Sequence, residues 1–538
     1  MLVAIAIAWP AVRSFGTAIV GGTEPCATVP LAMAWTLGWG FDRVDHGFAG
    51  WWDAPIFAPL PGAFALSETM PLSIAMGWPL HAAGLSVPAC HTLVLLAHLT
   101  LNGWATSRVL VGLGVQRRLA TVGGLAMQTL PFVHVELGVL PFVAVWPLVW
   151  AIGTTFGLAR RPTLRRALAL GAALVTAYAA SGQLAAFLCV ALVPFAACLV
   201  RRDRVRAQLQ LLAIALAVAA IVLAPLVIAQ LGVLAELELE RSVETVALGS
   251  AIPSNFTRAP WRGAIDLPVW PVADDPTRRA FAPAPIDLAL AVLAIASALQ
   301  RRRGRRLVLA LTVLAIAGVV LALGTHAGPL YRIVAAFPGY TQIRSPFRAI
   351  VIVQLALTLL AVLGLHALAV RLRAARARLA SAVLVVAAAL MLLAELPPRP
   401  RIYAWPRPEP WVDALRDADD RASAVVLVPF GRGPGECGFE ATAAFMALAL
   451  EHRHPIANGY SSWFPRKSRI VDLATQLLPD ARAVQRLRTA GVGWLVVQPD
   501  HPLTTAPADA LAAQGLARAL VDAQSGVQLI AIEPAEAR

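Results

Sequence analysis

The chain has 538 residues, of which 58% are hydrophobic and 14% are charged, and its mean hydropathy is +0.68. Soluble globular proteins carry about 25% charged residues, so this composition excludes an ordinary soluble enzyme, a disordered chain and a coiled coil. The apolar runs are continuous and do not alternate, which excludes an outer-membrane barrel. The net charge of +14 comes from short basic clusters between apolar runs, and such clusters orient membrane proteins without a nucleic acid partner.

Eleven apolar runs approach the roughly 20 residues that a membrane-spanning helix needs. In chain order, the predicted spans are 2–20, 89–113, 119–134, 137–158, 164–180, 184–200, 207–232, 284–300, 307–323, 346–370 and 379–396. A further run, 69–84, is short and interrupted by Pro71 and Pro79. We expect it to form a re-entrant or surface-lying helix, because prolines break a continuous span.

Arginine clusters follow every second predicted span, at 117–118, 160–166, 201–206, 301–306 and 371–378. The positive-inside rule places these five loops in the cytoplasm. The predicted protein therefore crosses the cytoplasmic (inner) membrane many times, with its N-terminus inside and its C-terminus outside. Three long loops, 21–88, 233–283 and 324–345, then face outward, and we expect the functional site at the outer face.

The composition changes at Pro397, where residues 397–410 form a proline-rich predicted linker. In residues 411–538, strand-like runs alternate with helix-like runs, which is typical of a small α/β domain. The strand-like runs are 422–428, 494–497 and 527–532, and the helix-like runs are 441–450, 466–478 and 480–490. The expected fold is an all-α polytopic bundle over 1–396, with about 11 transmembrane helices, followed by this soluble extracytoplasmic domain.

The tail also contains a G-x-G-x-G string, formed by Gly431, Gly433 and Gly435. Without a following lysine, this string favours a flexible turn after a strand over a phosphate site.

An acidic motif follows the first predicted span, where Glu24 stands in Gly21-Gly22-Thr23-Glu24-Pro25. A carboxylate at the outer mouth of a helical bundle can act as a general base or hold a divalent cation. The alternative is a solvated loop acid, which is the favoured interpretation for Asp42, Asp45 and Asp53.

Two further groups of charged residues border predicted spans at the outer face. His134 and Glu136 lie in a tight turn, where ionisable groups are costly unless they face a cavity or each other. They form either part of a site or a structural His–Glu pair. Arg344 and Arg348 open the tenth span, one helical turn apart, against the positive-inside trend. A lipid phosphate or diphosphate would suit them, and an ion pair with a loop acid is the alternative.

Several stretches carry a resemblance to known membrane proteins: 53–59, 66–68, 132–136, 339–348, 457–465 and 491–497. The acidic motif after the first span, followed by an outer loop with an amphipathic stretch, resembles the GT-C superfamily of polytopic glycosyltransferases, which use polyprenyl-phosphate-linked sugars. More closely, over most of its length and in the stretches just given, the chain resembles poorly characterised bacterial membrane proteins of the YfhO type.

The resemblance implies a catalytic acid in the first outer loop, a second in the next, and basic residues that grip the lipid phosphate. These roles fall on Glu24, on Glu136 or His134, and on Arg344 with Arg348. Asp53 and Glu68 lie in matching stretches and are candidate substrate-binding residues. The related proteins commonly carry Asp where this chain has Glu24, so Asp42 or Asp53 is the alternative catalytic acid.

The leading hypothesis is an inverting glycosyltransferase with membrane lipid, a polyprenyl-phosphate-linked sugar, and a glycan, lipid or protein acceptor as partners. No cofactor is assigned, and a divalent cation is compatible with the acids. The first alternative is a non-enzymatic protein of the same fold that handles lipids or assists envelope assembly. A secondary transporter ranks lowest, because the chain shows no inverted repeat.

Overall fold

The structure is a computed structural model. It describes residues 1–237, 239, 241–264, 269–272, 279–300, 304–337, 339–372, 377–433 and 435–533. Several arginines of the predicted cytoplasmic clusters, at 301–303, 373 and 376, lie outside these residues. The chain divides into two compact units. The helical unit comprises Met1–Arg13, Leu93–Val227 and Glu240–Arg401, and the mixed unit comprises Ser14–Thr92, Ile228–Leu239 and Ile402–Arg538.

Helices make up most of the described part of the helical unit. Its α-helices are Leu2–Ile7, Trp9–Arg13, Val87–Gly112 from Leu93 onward, Arg117–Gln128, Pro131–Val135, Leu140–Val143, Trp146–Arg160, Leu164–Ala180, Gly182–Leu199, Val205–Glu236 up to Val227, Val243–Leu248, Pro285–Gln300, Arg305–Leu323, Pro329–Ala335, Ile350–Leu372 and Ala377–Ala394. Short 3-10 helices cover Pro253–Thr257, Gly324–Ala327, Tyr340–Gln342 and Pro346–Ala349.

Within the described residues, five helical segments are long and apolar enough to cross a membrane: Leu140–Arg160, Gly182–Leu199, Val205–Glu236, Arg305–Ala327 and Pro346–Leu372. They coincide with predicted spans at 137–158, 184–200, 207–232, 307–323 and 346–370. Pro285–Gln300 and Ser381–Ala394 are shorter apolar helices at two further predicted spans.

Two of the remaining predicted spans are not single helices. The run 2–20 breaks after Ile7, close to Pro10, which cannot donate a backbone hydrogen bond, and it ends in strand β1 (Ala18–Gly21). The run 119–134 is divided between the helices Arg117–Gln128 and Pro131–Val135. Arg117–Gln128 has only 12 residues, about 18 Å of helix, which is too short to cross a hydrocarbon core of about 30 Å. The total of eleven spans is therefore not confirmed, and the orientation that depends on it stays a prediction.

The centre of the helical unit is the helix Ile350–Leu372. In the segment Pro346–Leu372, 83% of the apolar stretch is buried, whereas only 11% of the apolar stretch of Val205–Glu236 is buried. Gly364 permits close packing, because a Cβ there would lie 1.9 Å from the carbonyl oxygen of Leu290 on Pro285–Gln300. Small residues allow apolar helices to approach in this way. The most buried helix thus begins directly after the predicted phosphate-binding arginines.

The mixed unit contains the two sheets of the described structure. β1 and β2 (Arg401–Ala404) form a two-stranded sheet. A four-stranded sheet has the order β3 (Ala424–Val428), β4 (Val492–Val497), β6 (Gln528–Ile532) and β5 (Leu516–Val521). β3 and β4 are parallel, and the other two pairs are antiparallel. The three predicted strands are confirmed, whereas β5 was missed because its Leu, Ala and Arg residues favour helices and its pairing with β6 overrides that preference.

The helices of the mixed unit come from the first loop and from the tail. The α-helices are Thr28–Asp45, Pro71–Ala82, Pro410–Asp417, Glu440–His452, Arg466–Gln476, Ala481–Thr489 and Ala508–Ala512, with 3-10 helices at Ala63–Leu66, Glu436–Phe439 and Pro502–Thr504. Pro71–Ala82, in the run 69–84, is a helix of 12 residues that contains Pro79. Its re-entrant or surface-lying position stays a prediction.

The predicted outer loop 21–88 and the predicted soluble domain belong to one compact unit. Small residues on Thr28–Asp45 and Glu440–His452 let these helices pack together, with Leu31 and Ala34 against Ala443. Gly38 is in contact with Leu450, since a Cβ at position 38 would lie 2.5 Å from the Leu450 side chain. The predicted linker 397–410 is also partly ordered, because it contributes β2.

Candidate functional site

The acidic motif begins at the end of β1 and is held by backbone contacts. Glu24 is fully buried, and its carboxylate accepts a hydrogen bond from the amide of Gly22. The Tyr403 hydroxyl on β2 donates to the Glu24 carbonyl oxygen at 2.5 Å. A Cβ at Gly21 would lie 2.5 Å from the Tyr403 ring, so only glycine permits this approach. The β1–β2 sheet therefore sets the position of the acid.

Three contacts fasten the residues after Glu24 to the tail. Cys26 and Cys437 form a disulfide. The hydroxyl of Thr28 donates to the Glu436 carbonyl at 2.9 Å, and the amide of Ala27 donates to the Glu440 carboxylate at 3.1 Å. Sequence reasoning missed this disulfide, because pairing over 411 residues cannot be deduced from cysteine spacing. Cys90, Cys189 and Cys198 are not in disulfides.

The other acids of the first loop make local contacts at or near the surface. Asp53 is exposed and accepts from the amide of Gly62 at 2.9 Å. Asp42 forms an ion pair with Arg43, and Asp45 accepts from the Trp78 indole at 2.8 Å. Glu68 is partly buried. Among these acids, Glu24 is the most buried.

In the helical unit, the structure brings Glu136 and Arg348 together. Their side chains form an ion pair at 3.2 Å, and the Glu136 side chain is only 2% exposed. The guanidinium of Arg348 also lies over the ring of Phe142, 4.6 Å from its centroid. The alternative His–Glu pair does not form, because His134 instead contacts the Gln128 carbonyl oxygen at 2.7 Å.

Two amide side chains hold the segments around this ion pair. Gln354 on the central helix accepts from the amide of Phe132 at 2.9 Å, which fixes the turn that carries His134 and Glu136. Asn102 donates to the Val143 carbonyl at 2.8 Å and accepts from the amide of Trp146 at 2.9 Å. It thereby positions the segment that presents Phe142 to Arg348.

Arg344 and Arg348 do not share a helical face, contrary to the prediction. The helical turns begin at Pro346, and the backbone of Ser345 before it is not helical (φ −126°, ψ 72°), since a residue before a proline avoids the helical conformation. Arg344 therefore lies in the preceding bend and is exposed, whereas Arg348 is partly buried against Glu136. Of the two arginines, Arg344 is the more exposed.

A second arginine, which sequence reasoning missed, lies near Arg344. Arg241 donates to the Gln342 carbonyl at 3.4 Å. Burial, together with the nearby positive charge of Arg344, lowers the pKa of Arg241 to about 10. The signal in the sequence was a basic residue in the predicted outer loop 233–283. Two guanidinium groups in this arrangement can share one phosphate.

Backbone packing fixes the bend that carries Arg344. A Cβ at Gly249 would lie 1.8 Å from the Arg344 carbonyl oxygen, and the Gly249 carbonyl accepts from the amide of Phe347 at 3.1 Å. Tyr340 donates from its hydroxyl to the Leu321 carbonyl at 2.9 Å. The described residues contain no cluster of three or more His, Cys, Asp or Glu residues suited to a metal ion.

Comparison with known proteins places the fold. No protein-family model and no curated protein matches the chain. A cryo-EM structure of the mycobacterial arabinofuranosyltransferase AftD matches with a TM-score of 0.61 and 17% identity, over 99% of this chain and 40% of that one. A structure of a mutant of the same protein matches with a TM-score of 0.56 and 18% identity, over 98% of this chain and 41% of that one.

The chain thus spans about two fifths of the length of AftD. At this identity the likeness is one of fold. It shows that the chain shares its fold with part of an arabinofuranosyltransferase structure. The closer resemblance to YfhO-type proteins stays a prediction.

Proposed function

We propose that this chain is an integral membrane glycosyltransferase of the GT-C type, which moves a sugar from a polyprenyl-phosphate donor to an acceptor at the outer face of the membrane. The observation that carries the proposal is the pair of guanidinium groups, Arg241 and Arg344, in a fold shared with an arabinofuranosyltransferase. The similarity of fold to that enzyme supports the class of reaction, and the two arginines support a negatively charged donor.

Arg344 and Arg241 bind the phosphate of the donor in this proposal. The phosphate is the leaving group, and its negative charge grows as the bond to the sugar breaks. Fixed cations aimed at that charge stabilise the transition state more than the ground state. Arg348 has a different task, since its charge is already balanced by Glu136. It holds the start of the central helix against the turn that carries Glu136.

A carboxylate accepts the proton of the acceptor hydroxyl. The hydroxyl oxygen attacks the anomeric carbon, the bond from that carbon to the phosphate oxygen breaks, and polyprenyl phosphate leaves with the electron pair. Glu24 is the first candidate for the base, because its burial and backbone hydrogen bond give it a defined position. Glu136 or His134 is the second candidate, and Asp53 and Glu68 are proposed contacts to the substrate.

The disulfide Cys26–Cys437 supports the predicted sidedness. Disulfides persist on the oxidising side of a bacterial inner membrane and are rare in the cytoplasm. It joins the first loop to the tail, so both would lie outside. Reporter fusions after Ile532 and in the Arg204 loop test this, and an active cytoplasmic reporter on the tail would contradict it.

Native mass spectrometry of the purified protein tests the donor site. We expect a polyprenyl-phosphate lipid on the wild type and its loss from Arg344→Ala and Arg241→Ala. Arg332→Ala is the matched control, because Arg332 is also exposed and lies in the same predicted outer loop. Equal lipid retention by all four proteins would contradict the assignment of the phosphate to this pair.

A lipid-handling or envelope-assembly protein of the same fold is the second candidate function. It is favoured by the contacts of the two acids, since Glu136 is neutralised by Arg348 and Glu24 is bound to backbone. A sugar-transfer assay separates the two functions. Glu24→Gln and Glu136→Gln that both retain full transfer would remove the catalytic assignment, and lipid binding without any transfer would favour the second function.

A further inference from the structure

An open cleft of about 260 Å³ lies in the mixed unit, beside the G-x-G-x-G string. Four aromatic rings line it: Phe57, Phe430, Phe439 and Phe464. We call it the aromatic cleft. The Phe439 and Phe464 ring centroids are 5.1 Å apart, and those of Phe57 and Phe464 are 6.0 Å apart in an edge-to-face contact. These contacts hold the rings in fixed positions, which is how a preformed site is built.

Two glycines keep the cleft open. A Cβ at Gly459 would lie 2.7 Å from the ring of Phe57, and a Cβ at Gly431 would lie 2.7 Å from the hydroxyl of Thr442. Gly431 is the first glycine of the G-x-G-x-G string, so that string forms part of the wall. Arg432 beside it forms an ion pair with Asp472 at 2.6 Å, which ties the string to the helix Arg466–Gln476.

Polar groups stand among the rings. The Thr442 side chain is 1% exposed, and its hydroxyl has no hydrogen-bond partner in the described structure. Asp472 contributes a carboxylate to the lining, and Arg469 is exposed at the rim. A buried hydroxyl without a partner calls for an explanation, and a ligand hydroxyl would supply the missing bond.

We propose that the aromatic cleft binds a neutral glycan. Sugar rings combine apolar C–H faces, which suit the negative faces of aromatic rings, with hydroxyls that can bond to Thr442 and donate to Asp472. Asp472 offsets the charge of Arg432, and Thr442 and Asp472 would lie unused with a purely apolar ligand. The binding claim stands by itself; the further assignment of the cleft as the acceptor subsite rests on the proposed function.

Binding of two synthetic probes to the full chain in detergent tests the proposal. We would use an arabinofuranose hexasaccharide and cellohexaose, with saturation-transfer NMR to detect contact and calorimetry to measure affinity. We expect at least one probe to bind the wild type. Phe464→Ala should weaken binding roughly tenfold and Asp472→Asn roughly fivefold.

Leu473→Ala is the matched control, because Leu473 lies on the same helix as Asp472, is 56% exposed and does not line the cleft. Phe464 is itself 37% exposed, so its truncation should lower the melting temperature only slightly. No binding of either probe to the wild type would overturn the proposal. So would equal affinities for the wild type, Phe464→Ala and Asp472→Asn.

The Arg344→Ala variant separates this proposal from the proposed function. It should lose sugar transfer and still bind the probe with wild-type affinity. If no protein transfers sugar while the cleft binds the probe, the proposed function fails and the glycan site stands. If transfer is robust and unaffected by Phe464→Ala at limiting acceptor, the cleft is not the acceptor subsite.

Discussion

Two buried carboxylates that are candidate site residues, Glu24 in the mixed unit and Glu136 in the helical unit, are held by different means. Glu24 accepts from a backbone amide, and the residues after it are fastened by a disulfide and two hydrogen bonds. Glu136 depends on one cation, Arg348, at 3.2 Å. Both side chains are nearly inaccessible to solvent.

Glu24 is therefore held by a backbone amide, whereas Glu136 is held by a side chain that a mutation can remove. Backbone amides cannot be lost by mutation of a side chain, and the disulfide adds a covalent constraint. An ion pair, in contrast, leaves an uncompensated buried charge when one partner is removed. The first arrangement suits an acid that must keep its position during a reaction, and the second suits a structural connection between two segments.

The largest expected effect comes from breaking the Glu136 arrangement. Arg348→Ala leaves Glu136 buried without its cation, and we expect a loss of about 3–5 kcal/mol in stability. Thermal unfolding of the detergent-solubilised protein measures it. The double variant Glu136→Leu with Arg348→Met should recover most of the loss, because it removes both charges and keeps the volume. An unchanged melting temperature for Arg348→Ala would show that the ion pair does not stabilise the protein.

The corresponding test of the Glu24 arrangement removes the disulfide. Cys26→Ala should cost about 2–4 kcal/mol and expose the first loop to proteolysis, because the covalent constraint on the chain is lost. A reducing agent should sensitise the wild type and leave the variant unaffected. Cys189→Ala serves as the control, because Cys189 is outside the disulfide. Equal protease resistance of both variants would argue against the constraint.

A pH titration tests the helix Glu440–His452, which contacts the residues that follow Glu24. Burial lowers the pKa of His452, at the end of Glu440–His452, to about 3. The unfolded chain therefore takes up this proton first, near pH 6.5, and stability falls as the pH drops from 6.5 towards 3, by an amount on the order of 2 kcal/mol. His452→Asn should flatten this part of the curve in chemical unfolding of the tail. An identical pH dependence in both proteins would contradict the assignment to His452.

The smallest expected effect refines the Glu24 arrangement. Tyr403→Phe removes the hydrogen bond to the Glu24 carbonyl and should cost about 1 kcal/mol, since the ring still packs against Gly21. If Glu24 is the base, kcat should fall while the lipid retained in native mass spectrometry stays constant. Tyr331→Phe is a control outside the motif. A matched loss of lipid in Tyr403→Phe would point to a general structural defect.

Much of the membrane part could be predicted from the sequence, because apolar length is a local property. The five long apolar helices fall on predicted spans, and three strands of the tail fall on predicted runs. The prediction failed where neighbours decide the conformation. Residues 18–21 are apolar enough to continue a span, yet they pair as β1 with a strand almost 400 residues later. The edge strand β5 exists only through its pairing with β6.

The candidate site divides along the same line. The sequence by itself determined which side chains carry charge beside apolar runs, including Glu24, Glu136, Arg344 and Arg348, because such charges are conspicuous in an apolar chain. Only the tertiary structure decided their partners: Glu136 meets Arg348, Arg344 lies near Arg241, and Cys26 bonds to Cys437. The physical reason is that burial and hydropathy follow from local composition, whereas an ion pair or a disulfide depends on which distant segments the packed helices bring within bonding distance.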